Sequence, residues 1–239
     1  MRIASYNIRK AVGLDWRRDG GRILDVLAEI DADVVVLQEA DKRFGDRAGV
    51  LQPSDLYARL GYRPVDLSTR AESHGWHGNL ILYRDRSLVL TDATRIELPS
   101  LEPRGAVSAR FGPNDLEVIG VHLALGRGMR MRQLEALGRH VTEADHPVLI
   151  AGDFNAWRHD AAIPRLLGGG ARMILPGKSF HTTRPSAPLD RFVLKGGLQE
   201  ASAHVHASDL SARASDHLPV VLDLDWPAGL RQPEPEMRP

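Results

Sequence analysis

The chain has no cysteine among its 239 residues. Disulfides and thiolate metal sites are therefore excluded, and any bound metal must be held by oxygen or imidazole. Aromatic residues make up only 5% of the sequence, and basic and acidic residues balance at 31 each. A neutral balance provides no global basic field for gathering nucleic acid, although a local patch remains compatible with it. No apolar run is long enough to cross a bilayer. Met1 leads directly into a strand-like segment with no apolar leader core, so a cytoplasmic location without an integral membrane segment is expected. The 43% hydrophobic and 26% charged content is that of a globule able to bury a core.

Periodicity supplies the layout. Residues 3–8, 34–37, 79–83, 88–98, 106–111, 116–123, 148–152, 189–194 and 218–224 read as strands. Ile23, Leu24, Leu27 and Ile30 mark a helix over 21–30, and Met131, Leu134, Leu137 and Val141 mark another over 131–141. A shorter helix is expected over 161–167. The strands from 79 to 123 have no helix between them, which favours antiparallel pairing there beside helix-connected strands elsewhere. Two mixed sheets packed face to face, with helices outside, suit about nine such strands. One domain over 1–226 is expected, followed by a proline-rich disordered tail over 227–239. Loops at 10–20, 40–56, 62–78 and 168–188 are the places for substrate contacts.

Polar residues with chemical potential stand at strand ends: Asn7, Glu39, His122, Asp153, Asn155, Asp190, Asp216 and His217. A sheet whose strand ends share one rim gathers such residues whatever their separation in sequence. Carboxylate, amide and imidazole together are what metal-assisted hydrolysis of a phosphate ester requires. Glu39 leaves the apolar run Val34–Leu37 and suits a hard divalent cation. The excess of carboxylates favours Mg2+, with Mn2+ as an alternative, over zinc. Arg104, in Glu-Pro-Arg-Gly-Ala, suits bidentate pairing with phosphate, and Asn79 is placed to reach the same group. Asn7-Ile-Arg-Lys, followed by Trp16, Arg17 and Arg18, forms a basic lip suited to a polyanion or a lipid headgroup. Trp157 is expected to pack, whereas the Gly-rich surroundings of Trp16 and Trp76 favour exposure.

Seven segments then stand in one order: Ser-Tyr-Asn-Ile at 5–8, Leu-Gln-Glu at 37–39, Gly-Asn-Leu-Ile-Leu at 78–82, Val-His-Leu at 121–123, Gly-Asp-Phe-Asn at 152–155, Leu-Asp-Arg-Phe at 189–192 and Ser-Asp-His-Leu-Pro at 215–219. In this the chain resembles the endonuclease/exonuclease/phosphatase superfamily of DNase I-like fold, and its small bacterial members in particular. The resemblance implies a four-layer α/β sandwich and in-line attack of water on a phosphoester. By it, Glu39 binds the metal with help from Asn7, and Asp216 is a ligand or supports one. His217 becomes the general base, oriented by Asp190. Asp153 and Asn155 position water and a phosphoryl oxygen, and His122 serves the phosphate or the leaving oxygen.

Two departures bear on substrate. Arg9 stands where the superfamily's repair endonucleases tend to carry an acid, and His122 stands where they tend to use tyrosine. Both point toward the branch with DNase I-like nucleases and lipid phosphodiesterases. The expected substrate is nucleic acid, a lipid or a small phosphoester. A sphingomyelinase-type lipid phosphodiesterase and a non-catalytic binding module on the same fold are the alternatives. Nothing in the sequence sets the oligomeric state.

Overall fold

The computed structural model describes residues 1–42, 45, 47–100, 105–112, 115–158 and 160–225. The expected tail at 227–239 and Arg104 lie outside the described residues. Twelve strands form two six-stranded sheets. The first sheet contains β1 (Arg2–Asn7), β2 (Val34–Gln38), β3 (Tyr62–Pro64), β4 (Leu80–Arg84), β11 (Glu200–Val205) and β12 (Val220–Leu224), in the order β11-β12-β1-β2-β4-β3. The second contains β5 (Val89–Glu97), β6 (Gly105–Gly112), β7 (Leu116–His122), β8 (Val148–Asp153), β9 (Arg172–Ile174) and β10 (Asp190–Lys195), in the order β5-β6-β7-β8-β10-β9.

Each sheet contains one parallel pair, β1 with β2 and β7 with β8, and each pair is bridged by a helix. These are α1 (Gly20–Ile30) and α3 (Arg127–Glu143); α2 (Pro53–Leu60), α4 (Ala162–Leu166) and α5 (Ser211–Ala214) are shorter. The side-chain period of two on each strand explains the layering. On β2, Val34 and Val36 enter the core between the sheets, while Val35 and Leu37 face α1. On β8, Leu149 and Ala151 face the first sheet, and Val148 and Ile150 pack with Leu134, Leu137 and Val141 of α3. Each such fully buried aliphatic side chain contributes roughly 1.5–3 kcal/mol. The result is the expected four-layer sandwich, helices–sheet–sheet–helices.

Several elements differ from expectation. The edge strands β3, β9 and β11 carry no marked apolar run, and β11 is mostly half-exposed. Helix α2 begins inside the span 40–56 expected to be a loop and runs past it; it starts with Pro53 in its first turn and buries only Leu56. Helix α3 begins at Arg127, not near 131, because its first turn is arginine-rich and presents no apolar stripe. Among the described residues no helix is long and apolar enough to cross a membrane.

At the end of the second sheet opposite the strand ends that carry the expected site, Glu117 is the second residue of β7 and is buried. It accepts hydrogen bonds from Ser108 Oγ at 2.5 Å, His140 Nε2 at 2.7 Å and His146 Nε2 at 2.8 Å. Burial alone would raise its pKa, but these donors outweigh burial and hold it at about 2. The Glu117 hydrogen bond raises His140 above its ordinary value. Glu117 therefore stabilises the fold above the usual carboxylate pKa and loses that contribution as pH falls toward 2. His140 acts in the opposite sense. Its contribution is full below the ordinary imidazole pKa and is lost as pH rises through its elevated folded value. Glu117→Gln should lower the unfolding free energy by roughly 1.5–3 kcal/mol in mildly acidic buffer. The penalty of His140→Ala should shrink on raising the pH to the alkaline range. Urea unfolding at both pH values checks both expectations.

Candidate active site

The ends of β1, β2, β7 and β8 and the starts of β4, β6, β10 and β12 meet at one rim, because the antiparallel partners run back from it. Gly120 permits close approach of the sheets behind this rim: a Cβ there would stand 2.7 Å from Val36 Cγ1. Gly152 permits the approach of β7 to β8 immediately before Asp153, since a Cβ would lie 2.0 Å from the Val121 carbonyl oxygen. The two sheets thereby deliver Asn7 and Asp153 to one point, where Asn7 Nδ2 donates to Asp153 Oδ2 at 3.1 Å.

His217 Nδ1 lies 2.8 Å from Asp190 Oδ2, and both groups are buried. A carboxylate only accepts, so the proton resides on Nδ1 and Nε2 is directed elsewhere. That nitrogen is 3.7 Å from Asp153 Oδ2, and His122 Nε2 is 3.6 Å from the same oxygen. Two imidazoles and one amide thus converge on a single carboxylate oxygen. Asp153 Oδ1 accepts the Asn155 backbone N–H at 2.9 Å, and Asn155 Nδ2 donates to the Leu123 carbonyl at 2.9 Å. Asn155 adopts a left-handed conformation (φ 50°), which asparagine tolerates better than most residues.

Burial pulls the His217 pKa down, but the charge and hydrogen bond of Asp190, with Asp153 and Asp216 beyond, outweigh it and push the group up to about 9. Burial and the neighbouring Asp190 charge raise Asp153 above the usual carboxylate range. The set therefore holds a proton tightly on His217. Asp153, Asp190 and His217 also bring ligand atoms within 4.8 Å of one another, a spacing open to a cation.

Glu39, Asp216 and Asn7 are each contacted by the turn that follows β1. Glu39 leaves β2 in a left-handed turn (φ 55°), a costly conformation for this residue type. The Lys10 ammonium pairs with Glu39 Oε2, and the Lys10 N–H donates to the Glu39 carbonyl at 3.0 Å. Arg9 Nε is 3.4 Å from Asp216 Oδ2, and the Arg9 N–H donates to Asn7 Oδ1 at 3.1 Å. Every ligand expected from the sequence is thus faced by a positive or donor group from residues 9–10. These hard oxygen donors are of the kind a divalent cation takes.

The expected phosphate-binding Asn79 is 1% exposed, and its amide nitrogen donates to the Gly105 carbonyl at 2.9 Å. This hydrogen bond ties the segment before β4 to the start of β6. Trp157, expected to pack, is 58% exposed and touches Phe180 edge-on, with ring centroids 5.8 Å apart. Trp16 is exposed as expected, and Trp76 is half-buried against the inter-sheet core.

Sequence reasoning missed three groups. Ser179 Oγ donates to Asp190 Oδ2 at 2.5 Å, and Ser215 Oγ donates to the Asn7 carbonyl at 2.7 Å. Arg191 is fully buried, and its guanidinium donates to the carbonyls of Pro188, Ala156 and Arg158, tying the loop after β8 to the start of β10. Arg191 and Ser215 lie inside quoted motifs, but Ser179 sits in a loop with no local signal.

The profile of the Endonuclease/Exonuclease/phosphatase family matches residues 4–217. An uncharacterized protein, YbhP, of Escherichia coli K12 is 30% identical over 162 residues, 63% of each chain. The matched region thus spans under two thirds of that relative's length. Among solved structures, D. rerio TDP2 complexed with a single-strand DNA product superposes with TM-score 0.71 at 20% identity, covering 95% of this chain and 99% of that one. The mannosyl-6-phosphatase Bt3783 of Bacteroides thetaiotaomicron gives TM-score 0.69 at 18% identity, covering 95% and 100%. Sequence profile and sandwich architecture agree, and the chain belongs to the Endonuclease/Exonuclease/phosphatase family, whose members are phosphoester hydrolases.

Proposed function

We propose that this protein hydrolyses phosphodiesters by in-line attack of water, with His217 as general base oriented by Asp190. The observation that carries this reading is the buried His217–Asp190 pair, whose free Nε2 converges with His122 Nε2 on Asp153 Oδ2. Asp153 and Asn155 position the water and a phosphoryl oxygen, and His122 serves the leaving oxygen. The charges that raise the His217 pKa make its neutral form a strong base, and Asp190 stabilises the imidazolium that forms on proton abstraction. Ser179 and Arg191 act as positioning residues for Asp190 and for the loop that carries Asn155.

A divalent cation, Mg2+ or Mn2+, would be held by Glu39, Asp216 and Asn7 Oδ1. When bound it supplies Lewis-acid charge to the phosphoryl oxygen. Lys10 and Arg9 hold these oxygens in the meantime, and their positive charge opposes cation entry. The similar structures, TDP2 with a single-strand DNA product and the mannosyl-6-phosphatase Bt3783, leave several phosphoester classes open to this site.

Turnover of a chromogenic phosphodiester with Mg2+ tests the chemistry. His217→Ala should lower kcat by roughly 10²- to 10⁴-fold, and near-normal turnover by a folded His217→Ala protein would remove His217 from the mechanism. Only the neutral imidazole accepts a proton, so kcat/KM should climb as pH rises from neutral toward the elevated His217 pKa. A second measurement addresses the metal directly: Mn2+ binding to the protein, followed calorimetrically without substrate. Glu39→Ala should weaken binding and Lys10→Met should tighten it. Unchanged affinity in both variants would place the cation elsewhere.

A further inference from the structure

His122 ends β7, and the backbone that leaves it is held in two stages. Leu123 is secured by β8 and the loop after it: its N–H donates to the Asp153 carbonyl at 2.9 Å, and its carbonyl accepts Asn155 Nδ2 at 2.9 Å. Beyond Leu123, packing gives out. Leu125 is 69% exposed, and a Cβ added to Gly126 or Gly128 would meet nothing within 4 Å among the described residues. Helix α3 starts at Arg127 without a side-chain cap from Gly126. A loop with two glycines, an exposed leucine and no cap has no local reason to keep one conformation.

Two buried side chains of α3 supply what the loop lacks. Arg130 and Gln133 stand three residues apart, hence on one face, and helical side chains lean back toward the N-terminus, here over the loop. Gln133 Oε1 accepts the Ala124 N–H at 2.8 Å, while Gln133 Nε2 donates to the Pro99 carbonyl at 3.1 Å. Arg130 Nη1 donates to the carbonyls of Ala124 at 3.0 Å and Leu125 at 2.9 Å. The N–H and the carbonyl of Ala124, two residues beyond His122, are thereby clamped from one helix face. Arg130 is only 7% exposed, and its Nε has no hydrogen-bond partner among the described residues. Burying a guanidinium with a donor unsatisfied is a poor route to stability, and an apolar side chain in such a place is often as stable. What Arg130 contributes is therefore geometry. Arg191 holds the adjacent loop in the same way, through the carbonyls of Ala156 and Arg158. Burial lowers the pKa of both guanidinium groups, and the Asp160 charge opposes the fall in both.

We propose that Arg130 is a positioning residue for His122: by fixing the peptide groups of Ala124 and Leu125 it sets where the imidazole stands when the leaving oxygen departs. This rests on reading the site as a phosphodiesterase in which His122 serves that oxygen. In that step water bonds to phosphorus as His217 takes its proton. The bond to the leaving oxygen breaks with its electron pair staying on that oxygen, and the His122 Nε2 proton neutralises it. A displaced His122 therefore harms a basic leaving group most, because a weakly basic one departs without a proton.

Diphenyl phosphate and bis(p-nitrophenyl) phosphate, assayed with Mg2+, separate the cases, since p-nitrophenolate departs unprotonated far more readily than phenolate. Arg130→Met should lower kcat on diphenyl phosphate roughly 10- to 100-fold with little change in KM. It should leave kcat on bis(p-nitrophenyl) phosphate nearly as before. In a His122→Ala background the same substitution should cost nothing further. Arg132→Met, at an exposed position of the same helix, is the control and should change neither ester. Ala124 is half-buried and Leu125 exposed, so water can take over the freed carbonyls, and thermal melting should show Arg130→Met folded. If it melts early, Gln133→Met, which leaves the guanidinium in place, carries the same test and should show the same selectivity. The imidazole itself is read from the NMR signal of labelled histidine, identified by its loss in His122→Ala. That signal should shift or broaden in Arg130→Met and stay in place in Arg132→Met. Equal loss on both esters, or no loss on either, overturns the positioning role and leaves the hydrolase reading standing. Turnover of neither ester by the parent protein overturns the hydrolase reading. The histidine signal then decides alone whether Arg130 holds His122, and an unmoved signal overturns that as well.

Discussion

The contact on which the site depends is the hydrogen bond from Asn7 Nδ2 to Asp153 Oδ2, because it joins the rims of two sheets that share no strand. A carboxylate buried as deeply as Asp153 must be satisfied by donors: Oδ1 accepts the Asn155 backbone N–H, and Oδ2 faces an amide from the first sheet and imidazoles from both. Sheet packing brings these groups within reach, and the polar cluster then sets the mutual position of β1 and β8 at this end. Any shift of one sheet against the other would separate Asn7 from Asp153 and His217 from Asp190 together. Gly120 and Gly152 are consequences of that closeness, one between the sheets and one between adjacent strands.

The rim divides its charge in two. On one side Asp190, Asp153 and His217 share a tightly held proton under burial, with Ser179 and Arg191 fixing the backbone around them. On the other, Glu39 and Asp216 are balanced by Lys10 and Arg9, which belong to a turn that follows β1 directly and holds left-handed conformations at residues 9–11. In the proposed reaction, proton handling and cation handling fall to different residues although both open on the same rim. Arg9 links this edge to the surface through its stack on Trp16. The opposite end of the second sheet carries a different polar knot, Glu117 with two histidines and a serine, which fastens α3 to β7 far from the chemistry.

Apolar runs along 34–37, 116–123, 148–152 and 218–224 revealed the core strands, and the stripes of α1 and α3 revealed the bridging helices. Residues such as Asp153 and His217 were legible because they adjoin those runs within specific motifs. The short edge strands β3, β9 and β11 were not legible, since an edge strand buries little and so imprints little apolar period. Ser179 was hidden for a related reason: its partner Asp190 is set by the bridge of Phe180 to His217, a contact between loops. The Asn79 amide could be assigned only once Gly105 was seen beside it, and Trp157 proved exposed because its neighbour Phe180 covers one edge alone.

Local sequence by itself determined the core strands and the two bridging helices, which residues lie at their strand ends, and the family whose motif order they follow. Those properties arise from side-chain period and from neighbours in the chain. The tertiary structure decided which strand ends share a rim, which carboxylate pairs with which cation, where the His217 proton is held, and which aromatic side chains face outward. These are contacts between residues up to some two hundred positions apart, and only the packing of two sheets with a common core brings them together.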